Sequence, residues 1–215
     1  MTVHLLVLAK EPAPGRVKTR LCPPYTPDEA ARVAAAALAD TIDAVDATPA
    51  ESRTLVLDGA YPVPAGWAAV PQRGYGLANR LVHAFVDTGI RGVPSFLIGM
   101  DTPQISPGLL GSASALLDAG NGYDAVLGLA ADGGWWGLGL CKPIYAEAIR
   151  AVPMSTAETG ARTFAALRHA GLRVALLPEL RDVDTAADAV AVAALCPRGS
   201  RFAAAVAGLP RAVTS

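Results

Sequence analysis

The sequence predicts an α/β fold, a three-layer αβα sandwich with an open, mostly parallel central sheet. Two observations from the residues carry the open sheet with helices on both sides. Short apolar runs alternate with stretches of helical periodicity, the order that builds parallel sheets. Several of those runs are apolar on consecutive residues, which suits strands covered on both faces. The helical stretches also open on readable caps.

In chain order, "VHLLVLA" (3–9) is the first strand, followed by "RTLVLD" (53–58), "SFLIGM" (95–100), "DAVLGLA" (124–130), "WWGLGLC" (135–141) and "RVALLP" (173–178). Helices are expected at 27–45, 75–88, 107–119, 156–169 and 186–195. Thr26 caps the first, with Pro27 at its first position and Glu29 closing a capping box. Ser155 and Glu158 repeat that pattern, Ser106–Pro107 supplies another cap, and Thr185 a weaker one. In the second helix Leu77, Leu81 and Phe85 share one face. There is no internal repeat and no long linker. One domain is expected over 1–196, with a tail over 197–215 that frays.

The 215 residues are 52% hydrophobic and 17% charged, enough to bury a core without disulfides. The net charge of −1 gives no global field for nucleic acid or an anionic membrane, so any anion binding must be local. Cys22, Cys141 and Cys196 are widely spaced and odd in number, which argues for reduced thiols, a cytoplasmic setting and no zinc site. The apolar N-terminus is too short to span a bilayer and lacks a basic flank, so it reads as a strand rather than a signal peptide. Alanine is abundant, which points to no function.

Open α/β sheets bind ligands beyond the carboxyl ends of their strands, and the polar motifs fall there. "KEPAPGRVKTRL" (10–21) follows the first strand. Gly15 allows close backbone approach to a ligand, while Lys10, Arg16, Lys18 and Arg20 can meet phosphate oxygens. The competing reading is a solvated basic loop. The spacing matches neither a Walker A loop nor a dinucleotide fingerprint. Asp101 ends a strand, where a carboxylate can hold Mg²⁺ or Mn²⁺ or merely cap a turn before Pro103. Asp182 and Asp184 share a face if extended, and the same segment can cap the last helix. In "DGGWWGLGL" the glycines permit a tight turn, with Trp135 and Trp136 on opposite faces, one for the core and one for a pocket. The histidines are scattered, and no nucleophile triad is visible.

Taken together, "AKEPAPGRVKTRL", "IGMDTP", "DGGWWGLGL" and "RDVDTAAD" resemble, in order and spacing, a bacterial transferase family over about residues 3–195. Its members are labelled GT-A glycosyltransferases or radical-SAM/selenodomain-associated transferases. The wider group resembled is the nucleotide-diphospho-sugar transferases, which include molybdenum-cofactor and phospholactate guanylyltransferases. The resemblance implies the GT-A fold. It also implies triphosphate binding by Arg16, Lys18 and Arg20 with Lys10 in support, Mg²⁺ or Mn²⁺ at Asp101 and Asp184 with Asp182 beside them, and acceptor contacts at Asp132 and Gly133. Trp135 or Trp136 stands where many members carry Tyr, which is expected to reshape the acceptor pocket, and Thr102 stands where they carry Ser, a mild change.

Three functions are compatible with these residues. Nucleotidyl transfer, coupling an NTP to a small phosphorylated or hydroxyl acceptor with release of pyrophosphate, is favoured by the cationic loop. Lys18, Arg20 and Asp101 would then be catalytic. Glycosyl transfer from an NDP-sugar is weakened by the single Asp in "GMDTP", where such enzymes place D-x-D. A non-catalytic nucleotide-binding protein is the third. Base, acceptor and oligomeric state, a homodimer included, are left open.

Overall fold

The computed structural model describes residues 3–209. The elements are β1 (His4–Lys10), α1 (Pro27–Asp46), β2 (Ser52–Asp58), β3 (Ala68–Pro71), α2 (Gly76–Thr88), β4 (Ser95–Gly99), α3 (Pro107–Ala115), β5 (Ala125–Ala130), β6 (Trp135–Leu140), α4 (Thr159–His169), β7 (Val174–Leu180), α5 (Ala186–Ala193) and α6 (Arg201–Ala207). Short 3-10 helices cover Thr19–Leu21 and Pro143–Ile149. The seven strands lie in the order β3-β2-β1-β4-β6-β5-β7, and only β6 runs against its neighbours. The carboxyl ends of the other strands therefore meet at one edge.

The consecutive apolar residues of the strands feed two cores. Leu5 and Val7 of β1 pack on one face with Ala34 and Leu38 of α1 and Leu110 of α3. Leu6 packs on the other with Leu81 and Phe85 of α2, Ile149 at the end of the second 3-10 helix and Leu167 of α4. A third cluster joins Ala30, Val33 and Ala37 of α1 to Val192 of α5 and Phe202 of α6. Helix α1 is thus pressed between the sheet and an outer pair of helices, and its alanines let both layers approach closely. Phe202 is fully buried, so the segment expected to fray holds a docked helix. Of that tail, residues 210–215 lie outside the described residues.

Most caps are as expected. Thr26 Oγ1 accepts from the Glu29 N–H and Glu29 accepts from the Thr26 N–H (2.8 Å). Thr185 and Asp188 form the same box on α5, and Ser106 accepts from the Leu109 N–H. The Ser155–Glu158 box does not form. Helix α4 starts at Thr159, and Ser155 has φ 60°. A tertiary contact overrides the local signal: the Gly160 N–H donates to the Gly133 carbonyl (2.7 Å), tying this segment to the β5–β6 turn. Leu77, on the same face as the buried Leu81 and Phe85, is 41% exposed because the first turn of α2 overhangs the carboxyl edge.

Candidate active site

The carboxyl edge opens into a hollow of about 980 Å³. It is lined by Lys10, Arg16, Lys18, Arg20, Asp101, Asp132, Asp182 and Asp184, so eight of the ten residues singled out from the sequence converge there. Gly15 and Gly133 do not line it. Gly15 is an exposed turn residue at φ 73°. Gly133 has φ 89°, and a Cβ there would lie 2.0 Å from the Ala157 carbonyl oxygen, so it is required by both conformation and packing.

The loop after β1 presents its cations in two ways. The side chains of Arg16 and Arg20 are 61% and 69% exposed, but that of Lys18 is only 8% exposed. Lys18 Nζ lies 2.8 Å from Asp101 Oδ1 and 3.6 Å from Asp184 Oδ1, and it donates to the Val183 carbonyl. Arg20 binds the other oxygen of Asp184 at 2.7 Å. Arg16 is 3.7 Å from Glu11, and Lys10 stands exposed at the end of β1. The Val183 N–H donates to the Asp101 carbonyl (3.0 Å), which ties the loop after β7 to the loop after β4.

Asp132, Asp182 and Asp184 gather so that one oxygen from each lies within 4.8 Å of the others. The grouping follows from pairing: Ala130 of β5 is in register with Leu180 of β7, and the Ala131 N–H donates to the Leu180 carbonyl (2.9 Å). Asp132 also accepts from the Gly134 N–H (2.7 Å), which fixes the turn. Burial, and then the charges of Asp132 and Asp184, push the Asp182 carboxyl up to about 6. Asp101 is not part of this trio; it is joined to Asp184 through the shared ammonium of Lys18. Carboxylate oxygens alone are the donor set that suits a hard divalent cation.

The opposite wall is less polar. Trp136 is buried edge-on to Phe96 (ring centroids 6.0 Å apart) and donates from Nε1 to the Pro178 carbonyl (3.0 Å). Trp135 faces the hollow, so the two tryptophans divide between core and pocket. Leu77, Arg80, Met154 and Thr156 also line this side, and none was singled out as a site residue. Arg80 pairs with Asp58 at the end of β2 (2.9 Å). Only the "R" of "ANR" one turn into a helix marked it in the sequence.

A family model described as "Uncharacterized protein conserved in bacteria (DUF2064)" matches residues 29–156, and the chain belongs to that family. No curated protein sequence matches it. Among solved structures, a protein of Desulfovibrio desulfuricans G20 assigned as a nucleotide-diphospho-sugar transferase is 26% identical, with a TM-score of 0.81 over 94% of each chain. Rv0371c of Mycobacterium tuberculosis H37Rv, solved with manganese, is 22% identical with a TM-score of 0.56 over 89% of this chain and 97% of its own. The 2-C-methyl-D-erythritol 4-phosphate cytidylyltransferase of Thermus thermophilus is 17% identical with a TM-score of 0.51 over 96% and 98%. The fold is the GT-A-like, Rossmann-like arrangement of the nucleotide-diphospho-sugar transferase superfamily, as the motifs predicted.

Proposed function

We propose that this DUF2064 protein is a metal-dependent nucleotidylyltransferase that couples an NTP to a small phosphorylated or hydroxyl acceptor and releases pyrophosphate. The observation that carries the reading is the convergence of Lys10, Arg16, Lys18 and Arg20 with four carboxylates in one hollow. A nucleotide substrate is also in keeping with the cytidylyltransferase of the same fold. Asp101, Asp184 and Asp182 would hold Mg²⁺ or Mn²⁺, with Asp132 beside them, and the cation bound there would offset phosphate charge. The acceptor oxygen bonds to the α-phosphorus as the bridge to the β-phosphate breaks, and the electron pair leaves with pyrophosphate. A hydroxyl acceptor releases its proton to water. Arg16 and Arg20 are open to solvent, and Arg20, whose Nη1 holds Asp184, keeps its other donors to meet the leaving group beside Arg16. Asp132 and Gly133 are assigned to the acceptor side, and Trp135 supplies a flat apolar surface near it. A cytoplasmic setting suits a reaction that draws on NTP.

The test is pyrophosphate release with each NTP, Mg²⁺ or Mn²⁺ and a panel of phosphorylated acceptors. Cation-dependent release that is lost in Asp101→Ala is expected. The second reading, glycosyl transfer from an NDP-sugar, is favoured by the assignment of the Desulfovibrio protein. No pyrophosphate, together with cation-dependent thermal stabilisation by one NDP-sugar, would replace the first reading with the second.

A further inference from the structure

We infer that the Lys18 ammonium is an internal counter-ion which a divalent cation displaces, so that cation binding is the event that frees Lys18 for a substrate's phosphates. This rests on the metal- and nucleotide-binding reading of the hollow. Within a loop whose arginines are open to solvent, the Lys18 side chain is 8% exposed. Its ammonium is surrounded by oxygens of two loops: Asp101 Oδ1 at 2.8 Å, Asp184 Oδ1 at 3.6 Å and the Val183 carbonyl. The residue holds left-handed backbone angles, φ 49° and ψ 38°, which a side chain rarely adopts and which the surrounding contacts must sustain.

Two carboxylates and a carbonyl are hard oxygen donors, the type a Mg²⁺ or Mn²⁺ ion takes. An ammonium and a divalent cation repel and cannot both occupy the space between Asp101 and Asp184. While Lys18 stays there, its charge is spent on the protein and is turned away from any phosphate. When a cation takes those oxygens, Lys18 loses its partners together, because all three belong to the same joined pair of loops. Arg20 holds the far oxygen of Asp184 and can remain. The exchange makes cation binding precede productive phosphate binding, and it makes Lys18 a competitor for the cation's oxygens as well as a phosphate contact.

The chain has only three lysines, Lys10, Lys18 and Lys142, and the other two are exposed, so acetylation of the full chain read by mass spectrometry resolves each. Without a cation, Lys18 should react roughly tenfold more slowly than Lys10 and Lys142, as its burial requires. Saturating Mn²⁺, with no nucleotide present, should raise the Lys18 rate severalfold and leave Lys142 unchanged. Lys18 protection that persists while Mn²⁺ is bound, as read by electron paramagnetic resonance, overturns the inference. As a second arm, Lys18→Met should bind Mn²⁺ roughly tenfold tighter than the natural protein, since a competing charge is removed; Lys18→Arg should not. Equal, weaker or absent Mn²⁺ binding by Lys18→Met also overturns it. No arm uses NTP. Lys18 release without any pyrophosphate product would leave the exchange standing and count against the transferase reading, and product without release would do the reverse.

Discussion

At the carboxyl edge of the sheet, several charged pairs gather around one hollow: Lys18 with Asp101 and Asp184, Arg20 with Asp184, Arg80 with Asp58. At the amino edge a second hollow, of about 770 Å³, has an apolar lining that includes Val86, Leu117, Tyr123, Cys141 and Ile144. Its charged pair, Arg173 with Asp124 at 3.4 Å, joins residues next to the ends of two paired strands. The first edge gathers charge where nothing in the core needs it. The second closes the end of the core. Substitution should therefore cost function at one edge and folding at the other.

Asp101→Asn and Asp184→Asn test this most strongly. Each is expected to lower pyrophosphate release by roughly 100-fold or more, about 2.7 kcal/mol in the barrier, while the thermal midpoint moves by only a few degrees. A collapse of the midpoint in either variant would break the contrast. Gly133→Ala should act on both properties, because it forces a side chain into the left-handed region and onto the Ala157 carbonyl. A loss of about 2 kcal/mol in urea unfolding is expected, with a fall in turnover as the acceptor side shifts.

A smaller effect comes from Asp182. Its carboxyl titrates at about 6 in the fold, against an ordinary value near 3.8. Between those pH values the folded chain holds a proton that the unfolded chain has lost, so stability falls as pH rises through this window and is level above it. With solvent screening the fall is about 1 kcal/mol. It should be absent in Asp182→Asn, as urea midpoints at pH 4.5 and 7 would show. The smallest effect belongs to the amino edge. Cys141 Sγ donates weakly to the carbonyls of Leu117 and Tyr123. Cys141→Ala should cost about 1 kcal/mol or less and leave turnover unchanged.

The strands were legible because both faces of the sheet are covered, which writes them as unbroken apolar runs. β3 was not: its four residues form a mostly exposed edge ending in Pro71, and its apolar run is short and made largely of alanine. α6 escaped notice because "RFAAAVA" has few apolar anchors, and its partner face is on α1, far away in sequence. The cations and Asp101 could be placed from strand ends alone. The company kept by Asp132 could not, because only the β5–β7 pairing brings it to Asp182 and Asp184, about fifty residues on. The Ser155–Glu158 pattern misled for the same reason: a contact distant in sequence outweighed a local cap.

The double packing of α1 bears on how this chain can change over generations. A helix with one bare side absorbs a larger residue by leaning outward. This one has no such side over most of its length, since Ala31, Ala34 and Leu38 meet one layer and Ala30, Val33 and Ala37 the other. Added volume on either side must be matched by loss in a second layer, so drift without compensation is confined to exposed positions such as Asp28 and Arg32.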